Sequence, residues 1–114
     1  AKALVMFADG KPLMTVLPAN LSVDTSAFKV AFEIKDLRMA TPEEVKKLTG
    51  TQIGAVPPFG NLFSLPLYVD MKLGENDEIA FNAGEHTKSV IMDYKDFEIV
   101  TKSIVGKFSK PKSQ

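Results

Sequence analysis

The side chains that most often carry covalent or metal chemistry are nearly missing from this sequence. It contains no cysteine and a single histidine, His86, which excludes thiolate nucleophiles, disulfides and zinc sites built from several histidines or cysteines. His86 could act as base for a serine, but no serine stands in a nucleophile-elbow pattern such as GxSxG. Adjacent carboxylates do not supply an acid–base pair either. Glu43 and Glu44 follow Thr41-Pro42 as parts of a helix cap, and Asp93 and Asp96 fall on a solvated turn.

What remains is chemistry done by the backbone. The stretch Gly54-Ala55-Val56-Pro57-Pro58-Phe59-Gly60 combines prolines that fix the chain with glycines that let a ligand approach closely. A loop of this kind can aim free N–H groups at a developing oxyanion without any charged side chain. Composition by itself favours the plainer reading, a tight structural connection between a helix and a strand.

The elements that would position this loop can be read from pattern. Ala3 to Phe7 forms a buried strand, Asp9-Gly10 a hairpin turn, and Leu13 to Leu17 the return strand, with Pro12 at its start and Pro18 ending it. Ser26 or Asp24 caps a short helix from Ala27 to about Phe32. Thr41-Pro42-Glu43-Glu44 is a capping box opening a helix through Val45 and Leu48 that Gly50 stops. Strands follow at Leu67 to Val69, Glu78 to Asn82 and Ser89 to Met92, and Asp93 caps a turn or helix near Tyr94 to Phe97. From Thr101 the chain carries Lys102, Lys107, Lys110 and Lys112 with no acid, which predicts a basic, flexible tail over residues 101–114 behind a domain over residues 1–100. The predicted fold class is α+β: a curled, mixed, mostly antiparallel sheet with flanking short helices. No P-loop or GxGxxG fingerprint is present.

Bulk properties set the remaining bounds. A chain of 114 residues, 45% hydrophobic and 25% charged, fits one globular domain with a single core. Its longest plain apolar run, residues 3–8, is too short to span a bilayer and lacks the layout of a secretory signal, so no membrane partner is expected. A formal net charge of zero argues against coating long stretches of nucleic acid, whereas gripping one end of an RNA needs only a local basic patch. The lack of cysteine fits a reducing cytoplasm.

Several segments recur in a fixed order: Lys2-Ala3-Leu4-Val5, Asp9-Gly10-Lys11-Pro12, Val16-Leu17-Pro18, Leu37-Arg38-Met39-Ala40, Pro42-Glu43-Glu44 and Thr49-Gly50. They continue with the loop from Gly54 to Gly60, Leu65-Pro66-Leu67-Tyr68-Val69-Asp70 and Asn82-Ala83-Gly84. In order and spacing this set resembles the YbaK-like aminoacyl-tRNA editing domains, which stand alone or lie inside bacterial prolyl-tRNA synthetases. The resemblance runs from Lys2 to about Phe97. It implies a deacylase that hydrolyses the ester between a small wrong amino acid and the terminal adenosine of a tRNA, usually the tRNA for proline. The implied partners are a tRNA acceptor end and prolyl-tRNA synthetase, with no cofactor and no metal.

Residue by residue, the resemblance assigns Lys2 to the lysine that faces the pocket and contacts the terminal nucleotide, although by itself Lys2 reads as an exposed lysine. Gly54 matches the first glycine of the family's GxxxP loop and Pro57 its proline, with the neighbouring Pro58 leaving the register open. Many relatives have serine or threonine before Pro58. Together with Ala55, Val56, Phe59 and Gly60 these residues would hold the aminoacyl carbonyl and position water, with the vicinal ribose hydroxyl assisting. Gly84 and His86 lie in the following connection; His86 could bind the substrate amine, bond the ribose or move a proton, or be an exposed loop residue with no role. Arg38 and Lys11 read as phosphate contacts or as ordinary surface charges. Family members usually carry a further helix and strand ahead of the lysine strand, so the domain is expected to be short at its N-terminal side. The alternative function is a non-catalytic module of the same fold that binds tRNA or a synthetase, or a fragment of a larger editing protein.

Overall fold

The computed structural model describes residues 1–82 and 88–112. Its centre is a hairpin of β1 (Lys2–Ala8) and β2 (Lys11–Leu17), paired in register from Lys2 opposite Leu17 to Ala8 opposite Lys11. The turn is the one that Asp-Gly specifies, with both central residues at positive φ, 49° at Asp9 and 82° at Gly10. The Asp9 carboxylate also accepts from the Asp36 amide at 2.8 Å, which brings the strand β4 (Leu37–Met39) onto β1.

Six further strands complete the topology. β5 (Leu67–Asp70) lies parallel to β2, and β8 (Ile104–Gly106) parallel to β5, giving a five-stranded mixed sheet in the order β4-β1-β2-β5-β8. Two antiparallel ribbons stand apart from it: β3 (Leu21–Val23) with β9 (Ser109–Pro111), and β6 (Glu78–Asn82) with β7 (Ser89–Asp93). Four of the six strand pairings are antiparallel, as the predicted fold class requires, while the single predicted sheet is divided into a main sheet and two ribbons.

Alternation along the strands sends side chains to two cores. On one face Val5, Met14, Val16, Leu67 and Val69 pack with Val45 of helix α2 (Pro42–Thr49) and with Tyr94 and Phe97 of helix α3 (Tyr94–Thr101). On the other face Met6, Ala8 and Leu13 pack with Phe28 of helix α1 (Thr25–Phe32) and with Phe108. Phe28 is the hub of that second core, its ring 4.8 Å from Phe32, 5.3 Å from Tyr68 and 5.2 Å from Phe108. The helix starts follow local chemistry. Asp24, not Ser26, caps α1 by accepting from the Ala27 amide, Thr41 and Glu44 complete the capping box of α2, and Asp93 caps α3.

The segment expected to be a flexible tail is structured. Residues 104–106 and 109–111 are strands, and Phe108 between them is fully buried. Its amide donates to Asp70 Oδ1 at 2.8 Å, and the Ser109 hydroxyl donates to Asp70 Oδ2 at 2.7 Å. Charge counting missed this because the single buried side chain Phe108 carries the packing among the lysines, while Ile104 and Val105 stay exposed and join the sheet by pairing with β5.

Candidate active site

The site forms where β1 is paired with β2 along one edge and has no strand along the other among the described residues. Strand β4 covers β1 only from Met6 to Ala8, and the Ala40 amide donates to Val5 O at 3.0 Å just past that pairing. Ahead of it, Ala1 to Leu4 form one wall of an open cavity of about 450 Å³. Ile53, Gly54 and Val56 of the loop after α2 form the facing wall, and Ala80, Phe81, Asn82 and Ser89 of the β6–β7 ribbon close one end. The backbone nitrogen of Ala1 donates to Ala80 O at 2.6 Å, tying the start of β1 to that ribbon. A recess of about 50 Å³ continues beneath the cavity, sharing Ala3, Leu4, Ile53, Gly54 and Val56 with it and adding Val5, Met39, Ala40 and Val45. No polar side chain among the described residues lines that recess.

The loop owes its course to bonds made at both ends. At its start α2 ends in a left-handed cap at Gly50, and the Thr49 hydroxyl donates to Val45 O at 2.7 Å while accepting from the Thr51 amide at 3.2 Å. The Ala55 amide then donates to Gln52 O at 3.0 Å, closing a turn whose third residue, Gly54, has φ of 85°. That position in a type II turn needs the left-handed region, which glycine enters without a Cβ clash. From the far side of the cavity Asn82 Nδ2 donates to the Gly54 carbonyl. The peptide groups around Gly54 are therefore held from two directions. The Ala55 amide is already bonded and Pro57 and Pro58 have none, whereas the Gly54 and Val56 N–H groups meet no protein acceptor among the described residues.

The predicted site residues divide sharply. Lys2, Gly54 and Val56 come together at the cavity, while Ala55, Pro57, Pro58, Phe59 and Gly60 do not line it. Ala55 is buried and Phe59 packs its ring 5.3 Å from Phe81 and 5.8 Å from Phe97. At Gly60 a Cβ would lie 2.6 Å from Leu65 O, so this glycine permits a close backbone contact. Of the two prolines, Pro58 is fully buried and Pro57 half-buried. Counting three residues after Gly54 places Pro58, not Pro57, at the proline of a GxxxP loop. Gly84 and His86 lie outside the described residues. Arg38 makes a bidentate pair with Glu44 at 2.8 and 2.9 Å and lies 4.4 Å from the centre of the Phe7 ring; Lys11 is exposed and lines no described cavity.

Lys2 is half-buried and has no carboxylate partner among the described residues. Burial, and next the positive charge of Lys112, hold its ammonium below the usual lysine pKa. Residues that sequence reasoning did not single out also reach the cavity, notably Asn82, Ser89 and Ala80. Asn82 was visible only as part of the Asn82-Ala83-Gly84 motif; its partner lies 28 positions earlier, and no spacing rule links the two.

Lys2 on β1 and the loop residues Gly54 and Val56 wall one cavity of this α+β fold, and the sequence resembles the aminoacyl-tRNA editing domains. The chain belongs to that family, whose model matches residues 1–99. It is 42% identical over 104 residues to the multifunctional Ser/Thr-tRNA deacylase ProXp-y of Escherichia coli K12, an alignment covering 85% of this chain and 61% of that protein. It is 40% identical over 73 residues to the proline–tRNA ligase of Solidesulfovibrio magneticus, which covers 63% of this chain and 12% of the ligase. Among solved structures, one described as a candidate trans-editing enzyme for prolyl tRNA synthetase superposes with a TM-score of 0.85 at 28% identity, over 96% of this chain and 69% of that one. The chain thus spans about 61% of the length of the deacylase it matches. No helix among the described residues is long and apolar enough to cross a membrane.

Proposed function

We propose that the domain hydrolyses the ester of a small, wrongly attached amino acid on the 3′ end of a tRNA, with tRNA for proline the leading substrate and the cytoplasm, where charged tRNAs are used, its place of action. The observation that carries this reading is the convergence of Lys2, Gly54 and Val56 on one cavity beside a small apolar recess, the Gly54 and Val56 amides meeting no protein acceptor among the described residues. In this reading Lys2 holds the terminal nucleotide through a phosphate or ribose oxygen. The amino acid side chain enters the recess, and the ester carbonyl oxygen faces the loop amides.

Water then attacks the carbonyl carbon, the bond to the ribose oxygen breaks, and that oxygen takes a proton as the free amino acid leaves. Negative charge grows on the carbonyl oxygen during the attack, so donors fixed in advance favour the transition state over the ester itself. No covalent intermediate with the protein is required. The ribose hydroxyl next to the ester supplies the nearest group able to relay the proton.

The test is the rate of amino acid release from tRNAs misacylated with alanine, serine, threonine or cysteine. Wild-type protein is expected to exceed the uncatalysed rate for at least one of them. Gly54→Ala misplaces the donors and should lower kcat by about 10²-fold, the usual effect of removing one oxyanion donor. Lys2→Ala should act mainly on KM. Release at the uncatalysed rate by wild-type protein that still binds the tRNA would replace the deacylase with the non-catalytic binding module.

A further inference from the structure

A second cavity lies on the other side of Lys2. It measures about 300 Å³, and Lys2 and Leu4 form the wall it shares with the first. Ser22, Thr25 and Arg38 contribute its remaining polar groups. Strand β9 pairs with β3, whose Ser22 and Val23 line this cavity. Its register sets Lys110 opposite Ser22, and directly paired residues in an antiparallel ribbon project from the same face. Lys112 directly follows β9, and its positive charge is felt at Lys2.

The charges of this region are unbalanced. Lys2, Lys110 and Lys112 have no carboxylate partner among the described residues, and Arg38 alone is neutralised, by Glu44. The nearby acid Asp24 accepts from the Ala27 amide at the start of α1. Three ammonium groups gathered on one side of a chain whose formal net charge is zero make a local basic patch that attracts an anion.

We propose that the second cavity and the β9 lysines form a trough for the phosphates of a single-stranded RNA 3′ end, continuing from the cavity that holds the terminal nucleotide. The inference rests on the deacylase reading for the direction of the strand: the terminal adenosine sits beyond Lys2, and the preceding phosphates pass over Ser22 and Thr25 beneath Lys110 and Lys112. Hydroxyls and ammonium groups suit phosphodiester oxygens without reading base sequence. The C-terminal ribbon, lying past the end of the family match at residue 99, thereby becomes part of the substrate-binding surface.

The experiment measures binding of a labelled single-stranded RNA ending in CCA to the full chain across a series of salt concentrations. Each phosphate contact contributes about 0.7 to the slope of log K against log salt for single strands. The double variant Lys110→Gln/Lys112→Gln should therefore lose about 1.4 from the slope. Lys110→Arg/Lys112→Arg should keep it, and Lys46→Gln/Lys47→Gln on the exposed side of α2 should leave it at the wild-type value. A wild-type slope in Lys110→Gln/Lys112→Gln, or an equal loss in the α2 variant, overturns the trough. Parallel assays of misacylated tRNA separate the two readings. A lysine-dependent slope with no amino acid release keeps the trough and removes the deacylase, whereas release with an unaltered slope does the reverse.

Discussion

Replacing Asp70 by alanine should destabilise the fold by about 3 kcal/mol, an amount set by three bonds that its carboxylate accepts. Asp70 is fully buried and accepts from the Phe108 amide at 2.8 Å, the Ser109 hydroxyl at 2.7 Å and the Lys72 amide at 3.1 Å. Hydrogen bonds to a charged group are each worth about 1.5–3 kcal/mol net, and a buried donor left without a partner costs about 1–3 kcal/mol. In the alanine variant the Ser109 hydroxyl and the Lys72 amide are close enough to the surface to reach water. The Phe108 amide is not, so its loss dominates. Relief of the buried charge offsets part of the total, which leaves the figure near the lower end of the summed range. For a domain of this length an unfolding entropy of about 0.24 kcal/mol/K converts 3 kcal/mol to a fall in Tm of roughly 12 °C. Thermal unfolding followed by circular dichroism measures it, and amide hydrogen exchange locates it, with Phe108 and the β8–β9 segment losing protection first. Asp70→Asn retains one acceptor oxygen and should lose about half as much. A fall of less than about 4 °C in the alanine variant, or full protection retained at Phe108, would refute the view that this carboxylate anchors the C-terminal strands.

Two further outcomes concern the site and the surface beside it. Asn82→Ala removes the donor that holds the Gly54 carbonyl and should lower kcat for deacylation by about 3- to 10-fold, the kinetic equivalent of one net hydrogen bond, with KM little changed; an unaltered kcat dissociates Asn82 from loop positioning. The Arg38 pair, and next the Thr41 amide, hold the Glu44 carboxyl at about 2, below its unfolded value, so the stability it contributes is complete above about pH 4.5 and lost as pH falls toward 2. Thermal unfolding over that range should show a shallower pH dependence in Glu44→Gln than in the wild type, and identical profiles would assign the acid sensitivity elsewhere.

Local chemistry was the legible part of this sequence. Asp9-Gly10 specified its turn, Thr41 with Glu44 specified the start of α2, and the hydrophobic alternation of β1 and β2 specified the central hairpin, because each depends on residues within a few positions. The short strands β3, β4, β8 and β9 are three residues long, too short for a period to register, and they exist through pairing with distant partners. The site shows the same division. Gly54 announced a turn by its type, but which amides of the loop stay free depended on Gln52 and on Asn82 across the cavity. The approach of Lys112 to Lys2 joins nearly opposite ends of the chain, and only the pairing of β3 with β9 brings it about.

The lining of the recess also bears on what an editing site of this design can distinguish. The described side chains of its walls are those of Ala3, Val5, Ala40, Val45, Val56 and similar apolar groups, so they offer space and no hydrogen bond. Selection by such a wall is selection by size. A methyl group is accommodated readily, and an isostere bearing one more hydroxyl is penalised only by about 10²-fold, because no buried polar group of the site is left unpaired when the hydroxyl is absent or present. A larger or cyclic side chain meets the full steric wall. The expected profile is breadth among small amino acids combined with sharp exclusion of proline, the one residue a prolyl-tRNA must keep. The backbone design of the loop fits that breadth under the proposed function: Gly54 and Val56 would meet the ester common to every substrate, leaving identity to the recess and the RNA to the lysines.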